Sequence, residues 1–186
     1  MEELSDDDLI RVYREGDVAA FDALFARHHA SVYNFARVML DGSPDAEDVL
    51  QETFLQIARA ARSYVPRGRF RVWMLRIARN LCLNRLDRRR RRRRLIAEGA
   101  LGLVEPESAD PDAGQVAEAG ERAAELRRLI GELPERQREA VTLRSFEQMT
   151  YREIARVMDV PVGTVKTLIH RGRARLARGL EPFLEE

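Results

Sequence analysis

The stretch Thr150-Tyr151-Arg152-Glu153-Ile154-Ala155-Arg156-Val157-Met158-Asp159-Val160-Pro161-Val162-Gly163-Thr164-Val165-Lys166-Thr167-Leu168-Ile169-His170-Arg171 encodes two short helices and a turn. Thr150 and Glu153 have the spacing of a capping box, in which each side chain satisfies a free N–H at the other position. Ile154, Ala155 and Met158 follow as one apolar face. Asp159-Val160-Pro161 makes a short turn, and Pro161 suits the first position of the next helix, where its missing N–H costs nothing. In that helix Val165, Ile169 and Leu176 share the inward face, while Lys166, Thr167, His170 and Arg171 share the other. A capped helix, a tight turn and a second helix with a basic outer face suit readout of the DNA major groove. Arg171 and Lys166 match guanine edges, and Thr167 a thymine methyl or base edge. Arg173, Arg175 and Arg178 stand better for phosphates, which position without specifying. A basic helical hairpin without a ligand would share this spacing, so the rest of the chain has to decide.

Upstream, Ala123 to Ile130 reads as one helix, and Pro134 opens another through Val141, Leu143 and Phe146. From about Leu95 to Gly120 the periodicity is lost, and Glu105-Pro106 and Asp110-Pro111 among Gly, Ala and acids read as a flexible linker. Before it stand four helices. Ser5 and Asp8 open a short one ending near Gly16. Asp17 caps a longer one with Phe21, Leu24, Phe25, Val32, Phe35, Ala36 and Met39 as its stripe, and Gly42 stops it. Ser43-Pro44 starts the third, with Asp45, Glu47 and Asp48 in its first turn and Val49, Phe54, Leu55 and Ile57 inward. After a Pro/Gly loop over Ser63–Phe70, the fourth runs from about Arg71 to Arg94. It buries Val72, Trp73, Leu75, Ile77, Ala78, Leu81 and Leu86. The expected fold is all-α.

Charge is laid out in blocks. Residues 1–60 carry 5 Arg against 13 Asp and Glu, and residues 61–94 carry 14 Arg against a single Asp. The net charge of +1 over 186 residues conceals this alternation. A block so basic needs a polyanion or extensive solvation. No apolar run nears the roughly 20 residues that span a bilayer, and the acidic start is unlike a secretory leader. The single cysteine, Cys82, excludes an internal disulfide and suits the cytoplasm. His28, His29 and His170 with Cys82 form no metal set by spacing, and no phosphate loop or carboxylate pair stands out. Neither cofactor nor metal nor catalytic residue is expected, and the chain is not read as an enzyme.

Two blocks carry a family resemblance. Leu133-Pro-Glu-Arg-Gln-Arg-Glu-Ala-Val, Thr150-Tyr-Arg-Glu-Ile-Ala, Pro161-Val-Gly-Thr-Val-Lys and Arg171-Gly-Arg-Ala-Arg-Leu resemble region 4 of sigma-70 family RNA polymerase sigma factors. Asp45-Ala-Glu-Asp-Val-Leu-Gln-Glu-Thr-Phe and Trp73-Met-Leu-Arg-Ile-Ala-Arg-Asn resemble region 2. The nearest likeness is to the short extracytoplasmic-function (ECF) branch. It implies a region 2 domain over 1–94, a flexible linker over 95–121 and a region 4 domain over 122–186. It also implies docking on core polymerase, at a coiled coil of the largest subunit and the flap of the second-largest. Asp48, Gln51 and Glu52, at i, i+3 and i+4, would form one docking face. Favourable placement in a helix dipole explains Asp45 and Glu47 but gives little to Gln51 and Glu52.

By the same resemblance the Ser63–Phe70 loop captures a base flipped from the melted minus-ten strand, and the next helix holds that strand. Tyr64, Arg67, Arg69, Phe70, Arg76, Arg79, Asn80 and Asn84 are the residues of suitable type. Trp73 lies on the apolar stripe and reads as core. Arg88–Arg94 point all round the helix and read as a general phosphate attraction. Thr164, Lys166, Thr167, His170, Arg171 and Arg173 are expected at the duplex minus-thirty-five element, while Leu168 stands where relatives often carry Arg. An anti-sigma protein is the branch's usual regulator. The expected function is promoter-specific initiation, reading duplex and melted DNA. A stand-alone helix-turn-helix regulator would need neither the acidic face nor the basic fourth helix.

Overall fold

The computed structural model describes residues 4–98 and 119–181, the side chains of 119–123 excepted. All regular structure among them is helical: α1 Asp6–Arg14, α2 Val18–Met39, α3 Asp45–Ala60, a 3-10 turn at Ala61–Ser63, α4 Phe70–Ala97, α5 Ala119–Gly131, α6 Glu135–Ser145, α7 Tyr151–Met158 and α8 Val162–Leu180. Most of the expected linker, from 99 to 118, lies outside the described residues.

Helix starts follow their caps. The Ser5 hydroxyl accepts the Asp8 N–H, and an Asp17 carboxylate oxygen accepts that of Ala19. Thr150 and Glu153 make the reciprocal capping box. Pro44 and Pro161 each stand one residue before the helix, as caps and not as its first residue.

The helices α1–α4 pack as one bundle and α5–α8 as a second. One continuous apolar core runs through both, from Leu24, Val32, Phe35, Met39, Val49, Ile57, Phe70, Met74, Leu75 and Ala78 in the first bundle to Leu143, Met149, Ile154, Val157, Val165 and Ile169 in the second. Burial of each Leu, Ile, Val, Phe or Met among them stabilises by about 1.5–3 kcal/mol. Two residues expected inside lie outside: Leu55 is 49% exposed and Phe25 is 41% exposed. Phe146, past the end of α6, is 53% exposed. Trp73 and Leu176 are only half-buried.

The bundles touch through α2, α4, α5, α6 and α7. Charged groups mark the seam. Arg71 donates to the Glu147 carboxylate at 2.6 Å, and Ser31 to the same carboxylate at 2.5 Å. Arg79 pairs with Glu139, which is 1% exposed. Arg138 reaches from α6 to Asp41 at 2.5 Å, and Arg90 pairs with Glu135.

Candidate nucleic-acid interface

Three surfaces can be built from these helices. The first is α8, whose inward residues Val165, Ile169 and Gly172 are buried. Gly172 permits close approach: a Cβ there would stand 2.6 Å from Val141 Cγ2 on α6. Gly179 does the same against α5, with Leu129 Cδ2 at 2.5 Å. Pinned by its small and apolar face, α8 turns Lys166, Thr167, His170, Arg171 and Arg173 outward, all exposed, while Thr164 is half-buried. The Thr167 hydroxyl already donates to the Gly163 carbonyl at 3.1 Å, so its methyl and lone pairs are what it offers a base. Asp159 makes the turn in the left-handed conformation, φ 55°, ψ 52°, with its N–H on the Ala155 carbonyl. Tyr151, at the head of α7, lines a cleft with Lys166, His170 and Arg173, a neighbour that the reading of α8 alone missed. Leu168 is half-buried and packs on the core, so an apolar residue suits the position.

The second surface is α4 with the loop before it. Arg76, Asn80, Asn84 and Arg88 are all exposed at steps of four, so they form one ridge. Arg67 and Arg69 are exposed on the loop. Tyr64 is half-buried, its ring stacked on Trp73 at 4.5 Å between centroids and 26° between planes. Trp73 is therefore part of a platform beside the loop and not simply core. Burial and the Asp7 carboxylate both push the Tyr64 phenol well above its ordinary range, so it stays protonated as a donor.

Two expected DNA contacts need correction. Phe70 is 2% exposed and packs edge-on against Tyr64 and Trp73, which makes it the floor of the platform and not a surface on which a base can stack. Arg79 is held by Glu139 across the seam, its side chain only 14% exposed, so in this arrangement no strand reaches it. Of the arginine run, Arg89 is bound to Ser43 and to Asp45 at 2.5 Å, and Arg90 to Glu135. Arg88 and Arg91–Arg94 are exposed.

The third surface is on α3. Asp48 and Gln51 are exposed, and Glu52 is half-exposed with Gln56 at 3.3 Å. The exposed Leu55 continues the face one turn on, at i+7 from Asp48. Sequence reading assigned Leu55 to the core, yet an apolar group beside carboxylates fits a protein partner and not a polyanion. Among the described residues no cluster of three or more metal-binding side chains occurs, and no helix is long and apolar enough to cross a membrane.

Known proteins carry the same pattern. The family model for Sigma-70 region 2 matches residues 24–92, and that for Sigma-70, region 4 matches 123–176. The RNA polymerase sigma-H factor of Pseudomonas aeruginosa is 35% identical, over 97% of this chain and 96% of its own. The ECF RNA polymerase sigma factor SigM of Mycobacterium tuberculosis (strain ATCC 25618 / H37Rv) is 37% identical, over 95% of this chain and 85% of its own. Among solved structures, CnrH in complex with the cytosolic domain of CnrY superposes with a TM-score of 0.70 at 26% identity, over 95% of this chain and 97% of that one. The sigma factor RpoE bound to the anti-sigma factor NepR, from Bartonella quintana, shares the fold at a TM-score of 0.69 and 21% identity, over 87% of this chain and 96% of that one. The chain belongs to the sigma-70 family of RNA polymerase sigma factors, on its ECF branch.

Proposed function

We infer that this chain docks on core RNA polymerase through the Asp48–Leu55 face of α3 and directs it to promoters. In this reading residues 1–94 hold the opened minus-ten strand, residues 122–186 read the minus-thirty-five duplex, and residues 95–121 join them. Tyr64, Arg67, Arg69, Arg76, Asn80 and Asn84 take the single strand, by stacking, phosphate contact and hydrogen bonds to base edges. Lys166, Thr167, His170, Arg171 and Arg173 enter the duplex groove. The observation that carries the reading is one chain with two separate basic faces and a third, acidic and apolar, that suits neither kind of DNA. A stand-alone regulator has no use for that third face. The chain performs no chemistry of its own, working in the cytoplasm with the polymerase.

Full engagement of α4 requires the two bundles to separate at the seam, because Arg79 is otherwise occupied. An anti-sigma protein able to grip both bundles would keep them from promoter DNA; the similar CnrH was solved in complex with the cytosolic domain of CnrY. The test is run-off transcription with purified core polymerase on a genomic promoter library. Asp48→Ala with Gln51→Ala, and Leu55→Ser separately, should each abolish or strongly weaken co-purification with core while leaving the circular dichroism unchanged. Unchanged co-purification in all three substitutions combined would remove the docking face from the proposal.

A further inference from the structure

The loop from Tyr64 to Arg69 has few restraints of its own. It leaves the 3-10 turn with the Tyr64 N–H on the Ala60 carbonyl at 3.0 Å, and regular structure resumes with the Trp73 N–H on the Arg69 carbonyl at 3.1 Å. Between them Val65, Pro66, Arg67, Gly68 and Arg69 are all exposed. Gly68 turns the chain at φ +65°, a conformation that glycine adopts without strain.

The missing restraint comes from α1. One carboxylate oxygen of Asp7 accepts the Tyr64 hydroxyl at 2.7 Å, and the other accepts the Gly68 N–H at 2.5 Å. A single carboxylate thus ties both ends of the loop. Asp7 is itself well held: its neighbour Asp6 binds Arg27 at 2.7 Å and His28 at 2.9 Å, which docks the head of α1 on α2.

We propose that Asp7 is a positioning residue for minus-ten capture, fixing the loop so that Tyr64, Arg67 and Arg69 meet the strand already arranged. This rests on the reading above, in which that loop takes a melted base. Asp7 does not touch DNA. Its contribution is to spare the cost of ordering a flexible loop when the strand binds. Charge alone would do the opposite, because a carboxylate beneath a basic loop repels a polyanion. The two accounts therefore differ in sign.

The experiment uses holoenzyme assembled from the full chain and core polymerase. The probes are fluorescent fork-junction DNAs whose minus-ten non-template strand is unpaired, with all four bases tried at each position. Asp7→Ala should lower affinity by about 3- to 10-fold and flatten the base preference at the captured position. Tyr64→Phe, which removes one of the two bonds, should lose less. Adding Asp7→Ala to Tyr64→Phe should cost less than it does in the wild type. Asp7→Asn, without the charge but with one acceptor, should fall between wild type and Asp7→Ala. Competition for core should be unaltered. Unchanged or tighter binding by Asp7→Ala and Asp7→Asn would overturn the inference. Should the wild-type holoenzyme show no base preference anywhere in the element, the reading of the loop falls, and this inference with it. Preference in the wild type that survives intact in the variants sinks the inference alone.

Discussion

Asp6 sits beside Asp7 at the head of α1 and serves stability instead of recognition. Burial pushes its carboxyl up, but hydrogen bonds from His28 and Arg27, and their charge, outweigh that and hold it below its ordinary value of 3.8. A carboxyl lowered by folding contributes stability above its unfolded value and loses it as the pH falls through the folded one. Thermal melts should therefore show the wild type losing stability on acidification below about pH 4, with Asp6→Ala flatter over that range. At neutral pH Asp6→Ala should cost about 1–3 kcal/mol, because it leaves His28, 7% exposed, without its carboxylate. Cys82 gives a second check on the same bundle. It is fully buried, and burial raises its thiol to about 12. Alkylation at pH 8 should proceed only through opening of the bundle, and reach the rate of a free thiol only in denaturant. Rapid labelling of the native chain would show that α4 is not packed as described.

At the scale of elements, the helix-turn-helix was legible because its determinants are local. A cap, a turn and a stripe lie within 22 consecutive residues, and the structure reproduces each of them. The inward role of Gly172 was not legible, since a glycine within a helix reads as a weak point and the reason for it lies on α6. Gly172→Ala should push α8 off α6 and destabilise the second bundle by about 1–3 kcal/mol, measured by chemical denaturation. Stability equal to wild type would mean that Val141 yields freely. The misplacing of Leu55 and Phe25 has another cause. Helical periodicity reports that a face is apolar, but not whether the chain itself or a partner covers it. Phe70 was misplaced through its position at the mouth of a basic loop, where residue type suggests stacking and only packing reveals a floor.

In the molecule as a whole, the seam between bundles is what sequence reading could not reach. Arg79 and Glu139 are 60 residues apart, and Arg71 and Glu147 are 76 apart. No spacing rule joins charges at such distances. Burial raises the Glu139 carboxyl above its ordinary 4.5, more than the Arg79 charge lowers it. A group raised by closure favours the closed form when protonated, and that contribution is lost as the pH rises through the raised value. Single-molecule energy transfer between a label on each bundle should show the open fraction growing from about pH 4.5 upward. Glu139→Gln should flatten this dependence. Glu139→Ala with Glu147→Ala should open the free chain at neutral pH and raise its affinity for a single-stranded minus-ten oligonucleotide, because Arg79 is released and Arg71 keeps only its bond to the Glu147 main-chain carbonyl. Unaltered transfer in the double variant would mean that the apolar part of the seam suffices to hold it. The outer face of α8 lies apart from all of this. Its Lys166, His170, Arg171 and Arg173 are exposed, and packing falls to the opposite side of the same helix. On the proposed reading, in which those few side chains meet the minus-thirty-five duplex, their exchange leaves the scaffold intact, so duplicated copies of such a gene are free to diverge in the genes they switch on. A genome can thereby enlarge its repertoire of responses without inventing a new protein.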